Sequence, residues 1–260
     1  MHMGSPESPS QLNADAPWDA FDPQAYVSHN YKRVIHEDAE IISIVRAHFS
    51  DHFRGRQDRP YRGIDVGAGA NLYPAFSMLP WCEEITLLDR ADRNVEYLEK
   101  QRRSYDESWD AFWHLLCQDE GYATLPGDPR DRFAQVVGVE QGDLFALGGR
   151  REHWSLGTMF FVAESLSTSH EEFRQAVECF MLSLTPGAPF AAAFMEGSEG
   201  YYVGDTHFPA CKLGEPEIRS AVKRHAAEEG FRISKVGKPH AVRHGYTSMI
   251  VACGFRGWGN

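Results

Sequence analysis

The chain has 260 residues, 42% of them hydrophobic, and a formal net charge of −11 from 37 acids against 26 lysines and arginines. That length and apolar content suffice for one full core in one domain. No apolar run approaches the ~20 residues that span a bilayer, and the arginines cluster only briefly, at 54/56/59, 102/103 and 150/151. A nucleic-acid partner needs a broad basic surface, so neither nucleic acid nor membrane is an expected partner.

Met1-His2-Met3-Gly4-Ser5 reads as an expression scar, and the Ser/Pro-rich stretch after it, to about Pro17, as a disordered tail. Residues 18–55 are expected to form a helical lid and 56–260 the core. Within the lid, Val34, Ile35, Ile41, Ile42, Ile44, Val45 and Phe49 predict a helix over 34–53 with one buried side. Strands are predicted at 61–66 and 84–88, with a helix at 92–103. Residues 104–132 read as helix and loop, packing through Trp109, Phe112, Trp113, Leu115 and Leu116. Further strands are predicted at 133–139, 157–163 and 189–195. A helix at 170–184 should stop at Thr185-Pro186-Gly187, because Pro cannot continue it and Gly permits positive φ. A helix at 215–229 and strands at 231–236 and 247–254 complete the chain. Strands alternating with helices predict an α/β, Rossmann-like architecture: a seven-stranded, mainly parallel sheet covered on both faces. The last two strands have no helix between them and can pair antiparallel at one edge.

Five cysteines, at 82, 117, 179, 211 and 253, show no CxxC pair and no His/Cys cluster. No metal is expected, the odd count argues against a disulfide framework, and a reducing cytoplasm fits.

The chemistry concentrates in Gly63-Ile64-Asp65-Val66-Gly67-Ala68-Gly69-Ala70-Asn71. Gly67 and Gly69 let the backbone turn off the first strand and approach a ligand closely. Asp89, at the end of the next strand, can accept hydrogen bonds from two ribose hydroxyls. NAD and S-adenosylmethionine sites share this geometry. A dinucleotide loop wants a third glycine three positions on, where this chain has Leu72. Asp65, two residues before the first glycine, suits a ligand with an amino-acid end. S-adenosylmethionine is therefore the expected cofactor, with NAD or a plain strand–turn–helix junction as alternatives. Asn94 can reach the ribose. Asp143, followed by Leu144, can take the adenine amino group or simply cap its own turn.

From about Trp18 onward the chain resembles the phenylethanolamine/nicotinamide N-methyltransferase family. Phe21-Asp22-Pro23-Gln24-Ala25-Tyr26, with Tyr31 five residues further on, is similar to that family's N-terminal segment. Ile64 to Gly69 followed by Tyr73, and Glu84 to Asp89, match its donor-site strands; Phe161-Val162-Ala163-Glu164-Ser165 and Glu199-Gly200-Tyr201-Tyr202-Val203-Gly204 match its acidic and aromatic segments. The resemblance implies a class I methyltransferase fold in which Tyr26, Tyr31 and Tyr73 stand at the donor, with Tyr31 near the methionine carboxylate. It implies that Asp89 and Asn94 hold the ribose and Asp143 the adenine. It also implies that Glu164 faces the acceptor as the acid/base, with Tyr202 on an aromatic wall.

Glu164 lies just past the end of a strand, where ligands of open α/β sheets sit. Trp18, Phe21, Asn30 and Glu199 are further acceptor candidates. The chain departs from its amine-methylating relatives before the last strand. Where they carry an acid it reads Arg243-His244-Gly245-Tyr246, so His240, His244 or Tyr246 takes that place. The expected acceptor is a small aromatic amine or nitrogen heterocycle, methylated at nitrogen or at an indole-like ring carbon in secondary metabolism. A monomer is expected. The alternatives are a non-catalytic S-adenosylmethionine sensor and an NAD-dependent oxidoreductase.

Overall fold

A computed structural model describes residues 11–56, 61–237 and 245–258. Asp22 opens helix α1 (Pro23–Asn30) by accepting the N–H groups of Gln24 and Ala25 at 2.9 and 3.0 Å, the usual role of an N-cap carboxylate. Helix α2 (His36–Phe53) follows, and then the alternating elements begin. They are β1 (Tyr61–Val66), α3 (Tyr73–Met78), β2 (Cys82–Asp89) and α4 (Asp92–Arg103). Three short helices, α5 (Asp110–Leu116), α6 (Glu120–Ala123) and α7 (Pro129–Val136), lead to β3 (Val137–Gln141). After β4 (Leu156–Phe160), α8 (His170–Ser183) and β5 (Pro189–Glu196), the chain makes a small hairpin, β6 (Tyr201–Val203) and β7 (Thr206–Phe208). Helix α9 (Glu215–Lys223) and strands β8 (Arg232–Val236) and β9 (Ser248–Phe255) end it.

The seven-stranded sheet runs β3-β2-β1-β4-β5-β9-β8. Strands β1 to β5 pair in parallel, and β9 lies antiparallel to both β5 and β8. The chain first steps outward through β2 and β3, then returns to set β4 beside β1. Strand order reverses there, and the crevice above the carboxyl ends of β1 and β4 is where such sheets bind ligands. One face of the sheet is covered by α2, α3 and α5, with Phe49, Phe76 and Phe112 fully buried. The other is covered by α8 and α9, with Phe173, Phe180 and Ile218 fully buried against Phe190 and Phe194.

Four expectations need revision. Residues 133–136 belong to α7, not to a strand: Asp128 caps Arg130 N at 2.8 Å, Pro129 occupies the first turn, and Phe133 and Val136 are buried at helical spacing. Helix α9 stops at Lys223 instead of continuing to 229, because Ala226 makes a bridge to Arg256. Helix α2, expected within a lid, buries Ile41, Ile42, Val45, Phe49 and Phe53 in the sheet's covering layer. Residues 11–13, expected within a disordered tail, are docked. Gln11 N donates to Thr168 Oγ1 at 2.9 Å, Asn13 N donates to Glu172 Oε2 at 2.9 Å, and Asn13 is buried. Among the described residues no helix is long and apolar enough to cross a membrane.

His48 and His52 lie one helical turn apart on α2, both against the Phe255 ring, at 5.3 and 5.2 Å. Burial pushes both imidazoles down to about 4. Between pH 6.5 and 4 the unfolded chain therefore takes up protons that the folded chain refuses, and stability falls as the pH falls. Buried Asp38 and Asp65, pushed up to about 7 and about 8, act in the opposite direction over their own range. The readout is therefore a comparison. His48→Gln/His52→Gln should lose less melting temperature than the unaltered chain between pH 6.5 and 4.5, by about 3 °C or more. Parallel melting curves across that range would remove the two histidines from acid unfolding.

Candidate active site

The turn off β1 places Gly67 and Gly69 at φ +64° and +57°. A Cβ on Gly67 would also lie 2.6 Å from the Val162 side chain, so both backbone and space require glycine there. The turn is fastened to β2. Ala68 N donates to Leu88 O at 3.0 Å, and Gly69 N donates to Asp89 Oδ2 at 2.8 Å. Asp89 Oδ1 accepts from Ala91 N at 2.9 Å and from Asn94 Nδ2 at 3.1 Å. Three of the roughly four acceptor positions of this carboxylate are thus filled by protein, leaving one on Oδ2. Burial raises its pKa, while the N–H groups around it, from Ala91, Asn94 and Gly69, oppose the rise.

A cavity of about 780 Å³, counting its mouth, opens above this turn. Its floor is the glycine turn. Its sides are Asp89–Asn94, Gly142–Leu144 and the Phe160–Leu166 stretch, and its roof is formed by Asn13, Trp18, Phe21, Tyr26 and Tyr31. Three buried polar atoms of its lining residues have no protein partner among the described residues: Asn71 Nδ2, Asn94 Oδ1 and Ser165 Oγ. Buried polar atoms of this kind call for a ligand carrying both donors and acceptors. The adenosine and amino-acid ends of S-adenosylmethionine meet that need.

A second cavity of about 1500 Å³, also counting its mouth, lies beside the first. Helix α1 contributes Ala25, Tyr26, His29 and Asn30, the end of β5 contributes Met195, and the 199–204 segment and His207 form the outer wall. Tyr26 and Tyr201 line both cavities. An aromatic cluster of Phe21, Val203 and Phe208, with Trp18, Tyr26 and Tyr201 against it, ties the N-terminal segment to the hairpin.

Of the expected donor residues, Tyr26, Tyr31, Gly67, Gly69, Asp89, Asn94, Asp143 and Leu144 line the first cavity. Asp143 also caps its own turn, accepting Phe145 N at 2.9 Å, and pairs with Arg90 at 3.2 Å. Asp65 and Tyr73 do not line the cavity. Asp65 lies buried behind the glycine turn, where Thr158 Oγ1 donates to it at 2.7 Å; burial pushes its carboxyl up to about 8, so it is neutral at pH 7. Tyr73 is buried beneath Tyr31, its ring stacked on Phe112 at 5.7 Å.

Of the expected acceptor residues, Asn30, Glu199 and Tyr202 line the second cavity. Trp18 and Phe21 line the first instead, because the Trp18 indole N–H donates to Asn13 Oδ1 at 3.0 Å and both rings pack on Phe208. Glu164 lines neither cavity. It is fully buried, and its Oε1 accepts Met195 N at 2.9 Å. His240 and His244 lie outside the described residues. Glu196, the other acid at the exit of β5, lines neither cavity. Although burial opposes it, Lys235, Ser248 and Thr247 hold its carboxyl down at about 2.

Several lining residues were not anticipated. Asn71 closes the glycine motif but carries no assigned role there; its Oδ1 accepts Tyr73 N at 3.2 Å at the start of α3. Phe161 adopts φ +61°, rare for a non-glycine residue, immediately after β4. Asn13 falls in the stretch dismissed as tail. His29 and Tyr201 stand within segments quoted for the family but carry no assigned role there, and His207 lies outside them.

The order of the sheet, the glycine turn fastened to an acid on the next strand and the polar cavity above it define a class I S-adenosylmethionine-dependent methyltransferase. The profile of the NNMT/PNMT/TEMT family matches residues 10–244, and the chain belongs to that family. Among solved structures, it is similar to an S-adenosylmethionine-dependent methyltransferase of Methanosarcina mazei (TM-score 0.54, 11% identity, 79% of this chain and 97% of that one). It is also similar to the N-methyltransferase NodS of Bradyrhizobium japonicum (0.53, 11%, 84% and 95%). A third is the 1,6-didemethyltoxoflavin-N1-methyltransferase of Burkholderia thailandensis, crystallised with 1,6-didemethyltoxoflavin and S-adenosylhomocysteine (0.50, 14%, 90% and 87%). No curated protein matches the chain in sequence.

Asp89→Asn keeps the size of the side chain but removes its charge and disturbs its hydrogen bonds to the turn. Calorimetry should show S-adenosylhomocysteine binding at least tenfold weaker, roughly the 1.4 kcal/mol of one charge-assisted hydrogen bond. Unchanged affinity would take Asp89 out of the donor site.

Proposed function

We propose that the chain methylates a small aromatic amine or nitrogen heterocycle that enters through the second cavity. The observation that carries this is the shared wall: Tyr26 and Tyr201 face both cavities, so a molecule in the second can meet one in the first. S-adenosylmethionine, when bound, supplies an electrophilic methyl carbon on a sulfonium. Methyl transfer is an in-line displacement, and the protein's part is chiefly to align the two reactants and exclude water. The rings of Tyr26, Tyr201 and Tyr202 offer flat surfaces for an aromatic acceptor. His29, Asn30 and His207 offer polar contacts to its edge. An open cavity on the acceptor side supports turnover over a sensing role. In this reading Asp89 and Asn94 hold the ribose, Asp143 the adenine, and Tyr31 stands at the amino-acid end. The reading also includes a monomer acting in a reducing cytoplasm, in secondary metabolism; four buried free cysteines suit the reducing compartment.

Glu164 takes a different part from the acid/base role the family resemblance implies. Its bond to Met195 N fixes the end of β5, where Met195 lines the acceptor cavity. It thereby positions the acceptor's wall without touching the acceptor. Glu164→Gln retains an oxygen that can accept the same N–H, so turnover should stay within about threefold of the unaltered chain. Glu164→Ala leaves that buried N–H unpaired, a cost of about 1–3 kcal/mol, and should lower the melting temperature and raise KM for the acceptor. A drop of about 10- to 1000-fold in kcat for Glu164→Gln, with donor affinity unchanged, would restore Glu164 as the acid/base.

The N-terminal segment gives a second test. Asn13, Trp18 and Phe21 roof the donor cavity, so removing residues 1–21 should weaken S-adenosylhomocysteine binding strongly, whereas removing 1–10 should not. Hydrogen exchange across 11–31 should slow when the product binds, because an ordered segment opens less often. Equal exchange with and without the product would count against a lid.

A further inference from the structure

Asn13 is 4% exposed where the N-terminal segment crosses the donor cavity. Each of its polar groups faces a protein partner, and the partners come from four parts of the fold. Its backbone N–H donates to Glu172 Oε2, in the first turn of α8, at 2.9 Å. Its carbonyl and its Oδ1 both accept from the Trp18 indole N–H at 3.0 Å, within the roof. The carbonyl also faces Arg90 Nη1, just past β2, at 3.4 Å. Its Nδ2 faces Asp143 Oδ2, just past β3, at 3.5 Å, and Arg90 Nη1 lies 3.2 Å from the same oxygen. Two residues earlier, Gln11 N donates to Thr168 Oγ1 at 2.9 Å, and Thr168 N donates to Gln11 O at 3.0 Å.

A primary amide suits this place because it accepts on one side and donates on the other. Turned over, it would set its NH2 against the indole N–H and its oxygen against a carboxylate. It is also uncharged, and it stands between the carboxylates of Glu172 and Asp143. An acid in its place would meet Asp143 as a like charge, and an alanine would leave the two sides unbridged. With its groups engaged in this way, Asn13 has little left to offer a ligand directly. It acts through what it holds.

We infer that Asn13 is a positioning residue for the donor. It clasps the roof to the Arg90–Asp143 side of the cavity, and so sets how long S-adenosylmethionine or its product stays bound. The inference rests on the donor occupying the first cavity. The contacts to Arg90 and Asp143 are long one by one, but all converge on a single buried residue, so the roof opens by losing them together. A ligand that needs the clasped state is held less tightly in proportion to the time the clasp is open. Most of that loss falls on the dissociation rate, as is usual among variants of one site.

The test uses the full chain and labelled S-adenosylhomocysteine, chased with the unlabelled product. Asn13→Ala should speed dissociation about tenfold, the effect of losing one hydrogen bond to a charged group. Asn13→Asp should speed it further, because a carboxylate then faces Asp143. Asn13→Asp/Asp143→Asn moves the amide to the other partner and restores one donor opposite one acceptor. This pair should hold the product about threefold longer, or more, than either single variant, the coupling expected of two side chains in contact. General loosening of the site would not produce that reversal. Dissociation from Asn13→Ala within about twofold of the unaltered chain, or a double variant no slower than both single ones, would overturn the inference. Failure of the unaltered chain to bind S-adenosylhomocysteine would instead overturn the donor site on which it rests, and the inference with it.

Discussion

Everything in the site depends on the fastening of one turn. Strand β1 ends in a backbone bend that only glycine allows at 67, and Asp89 at the end of β2 holds that bend by accepting Gly69 N. The same carboxylate holds Ala91 N at the entrance to α4 and the Asn94 amide. One side chain thus joins the turn after β1, the end of β2 and the start of α4. A charge buried this deeply is tolerable because its oxygens are matched by N–H groups. The cavity floor is rigid for the same reason. The acid's position is dictated by the parallel register, since β1 and β2 run side by side and end at the same level.

The roof is built on a different principle. It carries few bonds to the floor and is assembled largely from rings: Trp18 and Phe21 on Phe208, Phe21 on Tyr26, and Tyr26 on Tyr31. Phe21, Val203 and Phe208 form a cluster of their own, and Tyr26 packs both on it and on the covering layer to which Tyr31 belongs. The cluster joins the N-terminal segment over the donor to the hairpin over the acceptor. A small cluster with its own contacts can open without disturbing the main core, the property required of an element that must admit two reactants. Phe208 is the shared contact, touching both Trp18 and Phe21.

Much of this was legible in the sequence, and the failures have physical causes. The glycine turn, Asp89, Asn94 and Asp143 were legible because backbone constraint and chain spacing impose them. The strands from 61 and from 189 were legible as short apolar runs. Residues 133–136 misled because Phe133-Ala134-Gln135-Val136-Val137 is apolar enough for either element; the capped start at Asp128 decides for helix. Asp65 and Tyr73 share the motif with true lining residues but sit one layer behind. A strand alternates its faces, and the first turn of a helix points only some of its side chains at a ligand. Glu164 stands just past a strand's end, and its burial there depends on where β5 runs. Asn13 was hidden by composition, since a Ser/Pro-rich stretch says nothing about which of its residues docks.

The pairing of acids at the exit of β5 shows how such a fold changes its acceptor without changing its donor. The donor floor is fixed by backbone geometry and by a carboxylate with little spare capacity, so substitution there is costly. The wall of the second cavity is made of side chains at the end of β5 and on the hairpin, and its one carboxylate among the described residues, Glu199, pairs with Lys212 outside the cavity. Lys212 and Lys235 belong to neither cavity lining, yet each pairs with a glutamate at or just past the exit of β5. The Lys212–Glu199 pair is exposed and adds little to stability, whereas Glu196 is largely buried beside Lys235. The glycine motif, which fixes the turn above β1, carries no information about the wall of the second cavity.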